Sequence, residues 1–311
     1  MLKVYLLLVA GILLLFGSGK YLVESSVAIS RRLRIPRMII GLTVVAFGTS
    51  APELLVSIQA AVSGFPEIAM GNVVGSNISN ILLVLAITAL IFPIPVSSSS
   101  VKLDWPIMMF VSLLLFVFTI NGWLTRIEGI VLVFLLVSYI GYSIIRAMSS
   151  TAIKEEYIEA GSMSWWVAGL MLLASIGGLA FGASLLVDNA AVIAEDLGVS
   201  KRIISISMVA VGTSIPEVAT SVIAAMKKET DISVGNIIGS NIMNILSVLG
   251  VTSIIGPVKV DSEIVKFDIP WMLATSVLLL MLMLPAARSR ITRWEGILMI
   301  LTYLLYIYLI F

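Results

Sequence analysis

Apolar stretches of about 20 residues, the length of a helix that spans a bilayer, recur along this chain between short segments rich in charge, glycine or proline. Windows of that length predict ten spans, at roughly 4–30, 37–62, 67–91, 104–120, 124–146, 163–194, 201–226, 231–255, 267–286 and 291–310. The longest connection runs from Ala147 to Gly161, carries Lys154, Glu155, Glu156 and Glu159, and lies at the middle of the chain. The pattern therefore predicts an all-α integral membrane protein with a five-helix half at 1–146, a linker at 147–162 and a second five-helix half at 163–311. Lys3 before an apolar run resembles the start of a signal peptide. That run continues past Gly17 toward Glu24 with no small-residue cleavage site, so it reads as the first span.

The two halves repeat. Gly48-Thr49-Ser50-Ala51-Pro52-Glu53 returns as Gly212-Thr213-Ser214-Ile215-Pro216-Glu217, and Gly71-Asn72-Val73-Val74-Gly75-Ser76-Asn77-Ile78-Ser79-Asn80 returns as Gly235-Asn236-Ile237-Ile238-Gly239-Ser240-Asn241-Ile242-Met243-Asn244. Adding 164 to each number converts the first copy into the second without a gap (48 + 164 = 212). Lys102, Asp104 and Pro106 match Lys266, Asp268 and Pro270 at the same offset, and Glu24 matches Asp188. Thr125-Arg126-Ile127-Glu128-Gly129 resembles Thr292-Arg293-Trp294-Glu295-Gly296 at a slightly larger one. Five is an odd number of spans, so duplicated halves must enter the membrane from opposite sides, the inverted arrangement of many secondary transporters.

Composition agrees with the span count. Hydrophobic residues make up 59% of the 311 and charged residues 12%, with mean hydropathy +1.12; soluble domains carry about 25% charged residues. Net charge is +1, which indicates no nucleic-acid surface. There is no cysteine and no histidine, which excludes thiolate and imidazole metal sites, disulfides and histidine relays. A metal ion here must be held by oxygen, which favours calcium, magnesium or sodium. Lysine and arginine are distributed unevenly between the loops. Twelve (Arg31, Arg32, Arg34, Arg37, Lys102, Arg146, Lys154, Lys227, Lys228, Arg288, Arg290, Arg293) fall on one side, against six (Lys3, Arg126, Lys201, Arg202, Lys259, Lys266) on the other. The first side is then cytoplasmic and both termini face outward.

Polar groups inside apolar spans need a reason. Pro52 and Pro216 should break the second and seventh spans near mid-membrane, because proline has no amide donor and clashes with the preceding turn. A break in hydrocarbon is tolerated only where backbone is buried in protein or lines a polar cavity, and carbonyls freed near Ala46 and Ala210 are natural cation ligands. Ser50-x-x-Glu53 and Ser214-x-x-Glu217 also match a capping box, in which the glutamates merely restart a helix. Glutamine would serve that purpose, whereas an ionised group at mid-membrane costs about 2.5–3.5 kcal/mol or more. The duplicated acids therefore point to a cation site.

Asn72, Ser76 and Asn80 recur every four residues and share one helix face, as do Asn236, Ser240 and Asn244. Helix packing through small residues explains the glycines singly, not three amide or hydroxyl groups on one stripe in both halves. Asn77 and Asn241 point elsewhere and read as caps for backbone at the break. Glu24 and Asp188 read as interfacial, with Lys20 a partner for Glu24 at four-residue spacing. Glu128, Glu295, Asp104 and Asp268 read as solvated span ends, and the methionines as apolar filler. Glu53 and Glu217 supply two negative charges, which one divalent cation, two monovalent cations or two protons would neutralise. Unloaded, the pair is unfavourable in low dielectric, so the site should cross the membrane only when loaded. Adaptable oxygen coordination suits calcium better than magnesium.

Both motif copies resemble the repeats of the sodium/calcium exchangers within the calcium/cation antiporter superfamily, over nearly the whole chain. The resemblance implies a ten-helix fold of inverted repeats with four ion sites in a central diamond, and first and sixth helices that slide across the other eight. It implies that Glu53 and Glu217 share the central calcium. Thr49, Ser50, Thr213, Ser214, Ser76, Ser240, Asn80 and the Ala46 and Ala210 carbonyls would complete the calcium and sodium sites, with Asn72, Asn236 and Asn244 beside them. Several sodium ions would exchange for one calcium, moving net charge, with no cofactor. The bilayer and the two ions are the only partners implied. Proton/calcium exchangers carry a glutamate where this chain has Gly75 and Gly239, and potassium-dependent members an aspartate where it has Asn244. Sodium coupling without potassium is thus favoured, with proton/calcium exchange as the alternative, in a prokaryotic cell membrane. The lack of histidine and cysteine and the symmetry of the acids argue against an intramembrane hydrolase, and a channel would conduct without strict countertransport.

Overall fold

A computed structural model describes residues 1–33, 35–149, 163–197, 212–284 and 290–310. In chain order its helices are α1 (Leu2–Leu33), α2 (Arg37–Thr49), α3 (Ala51–Val62), α4 (Glu67–Ile91), α5 (Ser100–Thr119), α6 (Arg126–Ser149), α7 (Trp165–Asp196), α8 (Ile215–Met226), α9 (Thr230–Ile255), α10 (Ile264–Met283) and α11 (Arg293–Ile310). Eight of these are individually long and apolar enough to cross a bilayer, and α2 with α3 forms a further span bent by 42°. The start of the predicted seventh span, including Ala210, and most of the predicted linker lie outside the described residues.

The bend falls where the proline motif predicts it. Ser50, between α2 and α3, leaves the helical basin at φ −81° and ψ 3°, and Pro52 occupies the first turn of α3, where its missing amide breaks no bond within α3. Ser214 has the matching φ −84° and ψ 0° before α8, with Pro216 in its first turn.

α4 and α9 form the centre: 72% and 89% of their apolar windows are buried, against no more than 28% in the other long spans. A large apolar cluster surrounds them, drawing on α5, α6, α10 and α11 (Met108, Leu115, Leu132, Leu279, Met299). A second, smaller cluster joins α1 and α7 to α2, α8 and the start of α9 (Leu15, Leu22, Ile40, Leu179, Ile223, Ile232). The outward faces remain apolar, as lipid requires, and Trp123, Trp165, Trp166 and Trp294 are exposed at span ends, where indole rings favour the interface.

α1 and α7 pack antiparallel. Gly11 lies against Leu186, Ser18 against Gly178, and the Arg32 Nε donates to the Met163 carbonyl at 2.7 Å. The close approach needs glycine: a Cβ on Gly11 would stand 2.8 Å from the Leu186 amide nitrogen. Two short strand pairs also join the halves. β1 (Ile94–Pro95) pairs antiparallel with β4 (Arg290–Ile291), and β2 (Trp123–Leu124) with β3 (Val258–Lys259). Loops that span counting places on one side thus meet each other in space.

α2 and α9 also touch backbone to backbone. A Cβ on Gly239 would lie 2.6 Å from the Leu42 carbonyl oxygen, and one on Gly235 2.7 Å from that of Met38. Gly239→Leu should force these helices apart. Overpacking typically costs about 1–3 kcal/mol, and a lowered midpoint of thermal unfolding in detergent is the expected result.

Several charged residues sit differently from their sequence reading. Asp104 is buried rather than solvated, paired with Arg146 at 3.0 Å. Arg146 lies near the far end of α6 and folds back across the entrance of α5, also reaching Ser99. Asp268 accepts a hydrogen bond from the Tyr306 hydroxyl at 3.0 Å. Glu24 pairs with Lys227 at 2.5 Å rather than with Lys20, whose ammonium lies 5.6 Å from the Tyr21 ring centre. Glu128 and Glu295 are helix caps, accepting the Thr125 and Thr292 amides at 2.6 and 2.5 Å.

Candidate cation site

Those last two residues provide an internal control for the glutamates of the proline motifs. Thr125-x-x-Glu128 and Thr292-x-x-Glu295 are working capping boxes, with each glutamate bonded to the threonine amide and hydroxyl. Ser50-x-x-Glu53 has the same spacing and does not cap: neither Ser50 nor Ser214 makes a side-chain cap bond. Both Glu53 carboxyl oxygens, Glu217 Oε2 and the Ser50 hydroxyl are buried with no hydrogen-bond partner. Both glutamates are fully shielded from the surface, and among the described residues neither is ion-paired. Such groups are rarely left unmatched in a native protein.

The groups around them come from both halves. The Thr49 hydroxyl donates to Asn236 Oδ1 at 3.0 Å and lies 3.3 Å from the Ser240 hydroxyl. Its counterpart Thr213 donates to Asn72 Oδ1 at 3.4 Å and lies 3.2 Å from the Ser76 hydroxyl. Ser240 donates to Glu217 Oε1 at 3.4 Å, which ties that carboxylate through Ser240 to Thr49, one turn before Glu53. The proline motif of each half is thereby linked to the Asn-x-x-x-Ser stripe of the other.

The Ala46 carbonyl is not freed by the break. It accepts the Ser50 amide at 3.0 Å and lies 3.3 Å from the Thr49 hydroxyl. The carbonyl that necessarily lacks its helical donor is that of Gly48, because Pro52 has no N–H. Asn80 and Asn244 open π-helical turns at Asn80–Val84 and Asn244–Leu249, a distortion that often accompanies functional sites. Both Asn80 side-chain atoms and Asn244 Oδ1 are buried without partners. Among the described residues no cluster of three acidic groups exists, so the oxygens beyond the two carboxylates are neutral.

Sequence reasoning passed over three supports. Ser57 and Ser221 accept the Asn72 and Asn236 side-chain amides at 3.2 and 3.1 Å, fixing each carboxamide so that its oxygen faces the threonine. Their identity at the repeat offset was the available signal. Ser79 lies 2.7 Å from the Ser214 hydroxyl. Its counterpart is Met243, which offers no such bond, and so Ser50 keeps a free hydroxyl while Ser214 is held. Met108 and Met272 are more than filler, since they accept the Asn241 and Asn77 amides at 3.6 and 3.7 Å.

Comparison with known proteins identifies the scaffold. The family profile for sodium/calcium exchanger protein matches residues 3–145 and 167–311. The chain belongs to that family. Membership makes it an integral membrane transporter rather than an enzyme. CaxA of Alkalimonas amylolytica is 39% identical over 320 residues, covering 100% of this chain and 99% of CaxA. The sodium/calcium exchanger MaX1 of Methanosarcina acetivorans is 31% identical over 348 residues, covering 99% of this chain and 98% of MaX1. The solved structure of the sodium-calcium exchanger NCX_Mj soaked without sodium and calcium aligns with TM-score 0.85 at 31% identity, covering 99% of both chains.

Proposed function

We propose that this exchanger carries calcium out of the cell against an inward flow of sodium, by alternating access and without potassium. The observation that carries the reading is the pair Glu53 and Glu217: one carboxylate from each half, buried, paired with no base among the described residues, and accompanied by neutral oxygens. Two negative charges match one calcium or two sodium ions, and more than two sodium ions per calcium makes the cycle electrogenic. Among the described residues, the motif oxygens buried without partners include both of Glu53, Glu217 Oε2, Ser50 Oγ, Asn80 Oδ1 and Asn244 Oδ1, the kind of donor that calcium takes. In this reading Thr49, Thr213, Ser214, Ser76, Ser240 and the Ala46 and Ala210 carbonyls complete the calcium and sodium sites, with Asn72 and Asn236 orienting the threonines.

The proposed scaffold is ten spans in two inverted repeats, residues 1–146 and 163–311, with both termini outside the cell membrane. Its supports are the antiparallel contact of the corresponding helices α1 and α7 and the two cross-half strand pairs. The long antiparallel contact of α1 with α7, outside the larger apolar cluster around α4 and α9, is the basis for proposing that this pair moves. Neutral Asn244 favours potassium independence, and the backbone contact at Gly239 leaves no room there for an additional acidic side chain.

Reconstituted vesicles loaded with sodium test the proposal. Calcium should accumulate when external sodium is removed, without potassium, and proton ionophores should act only through voltage. Uptake driven by a proton gradient with no sodium present would replace this reading with proton/calcium exchange.

A further inference from the structure

Each Gly-Asn-x-x-Gly-Ser-Asn-x-x-Asn motif contains a middle asparagine, Asn77 or Asn241, that ion ligation leaves unused. Both are buried at the junction of the halves. Asn77 Nδ2 points to Met272 Sδ at 3.7 Å and Asn241 Nδ2 to Met108 Sδ at 3.6 Å, a reciprocal pair at the repeat offset (108 + 164 = 272). Asn77 Nδ2 also donates to the Asn241 backbone carbonyl at 3.2 Å. With its nitrogen held, Asn77 presents Oδ1 to Asn244, whose Nδ2 donates to it at 3.1 Å. That bond decides which end of Asn244 is free: its oxygen.

The mirror bond would run from Asn80 Nδ2 to Asn241 Oδ1. It is not made, and both atoms are buried with no other partner. A donor and an acceptor thus stand unsatisfied at the very positions that the repeat assigns to each other, a costly condition inside a protein. Interconverting inverted repeats exchange conformations, so a bond made by one copy in one state belongs to the other copy in the opposite state.

We propose that Asn77 and Asn241 are alternating positioning residues. In this conformation Asn77 holds Asn244 and leaves Asn80 free to adapt. In the oppositely open conformation Asn241 holds Asn80, and Asn77 releases Asn244. Trading one bond for its mirror keeps the two states close in free energy, which a carrier needs in order to turn over. The inference rests on the alternating-access reading above, not on which ions are carried.

The cysteine-free chain allows a direct test. Ala28 lines a cleft of about 410 Å³ between α1 and the turn at Lys227–Glu229, so its access to reagent would report a displacement of α1 relative to that turn. A single cysteine at Ala28 is labelled with a thiol reagent in choline buffer free of sodium and calcium. Both alanine variants lose the matching methionine contact, but only Asn77→Ala removes the Asn244 bond of this state and only Asn241→Ala the Asn80 bond of the other, so the labelling rates should shift in opposite directions, each about threefold or more. The double variant should return toward the parent rate. If an alanine variant fails to fold, Asn77→Ser and Asn241→Ser should show the same opposed signs. Shifts in one direction, or none, would overturn the proposal. Labelling needs no transported ion, so failure of sodium/calcium exchange would appear in the vesicle assay alone.

Discussion

Glu53→Gln and Glu217→Gln should each abolish calcium exchange while leaving the fold intact. Glutamine keeps the shape of the side chain but removes its charge and replaces one ligating oxygen with an NH2 donor. Breaking a buried charge pair costs about 2–5 kcal/mol, roughly 30-fold to several thousand-fold in affinity, so the variants should hold no calcium at concentrations that saturate the parent. Stability should move the other way. Each wild-type carboxylate is buried without a basic partner among the described residues, so neutralising one relieves a cost of the ion-free protein. The expected signature is an ion-free unfolding temperature equal to or above the parent's, with the calcium-induced rise of the parent missing. A variant that lost exchange because it unfolded would show the reverse.

Asn244→Asp should change what the site demands. The substitution adds a third negative charge at a position where Nδ2 now donates to Asn77 Oδ1. An ionised aspartate would place an oxygen against that acceptor and would cost about 2.5–3.5 kcal/mol at mid-membrane if left uncompensated. Compensation requires another monovalent cation or a proton. The variant's calcium exchange should therefore become dependent on pH or on potassium, with half-saturating calcium shifted about tenfold between permissive and non-permissive conditions. Calcium flux across a potassium series at two pH values measures this. A variant indistinguishable from the parent in every condition would place Asn244 outside the site's charge balance.

Much of the site was legible because cost marks it. A proline and a carboxylate at the middle of an apolar span are both expensive, and their recurrence at Pro216 and Glu217 separates them from accident. The bend at Ser50 follows from that chemistry. Which apolar helix faces lipid and which fills the centre was not legible, since lipid and core are equally apolar, and only packing sets α4 and α9 apart. Partners distant in sequence were also hidden. Glu24 looks like one end of a four-residue pair with Lys20, yet Lys227 is brought beside it by the fold. Asp104 looks solvated at a span end until Arg146 returns from the next helix. The strand pairs are two residues long, too short to leave an alternating pattern. Ser79 was visible only as a mismatch with Met243 in an otherwise matching motif. The bond it makes to Ser214 gives that mismatch a meaning.

The most direct measurement is the position of the bound ion. Crystals soaked in strontium, which scatters anomalously and is a close chemical substitute for calcium, should show a sodium-displaceable peak between the Glu53 and Glu217 carboxylates, absent from Glu53→Gln. A saturating strontium peak elsewhere in the protein, with none between these two side chains, would contradict the account.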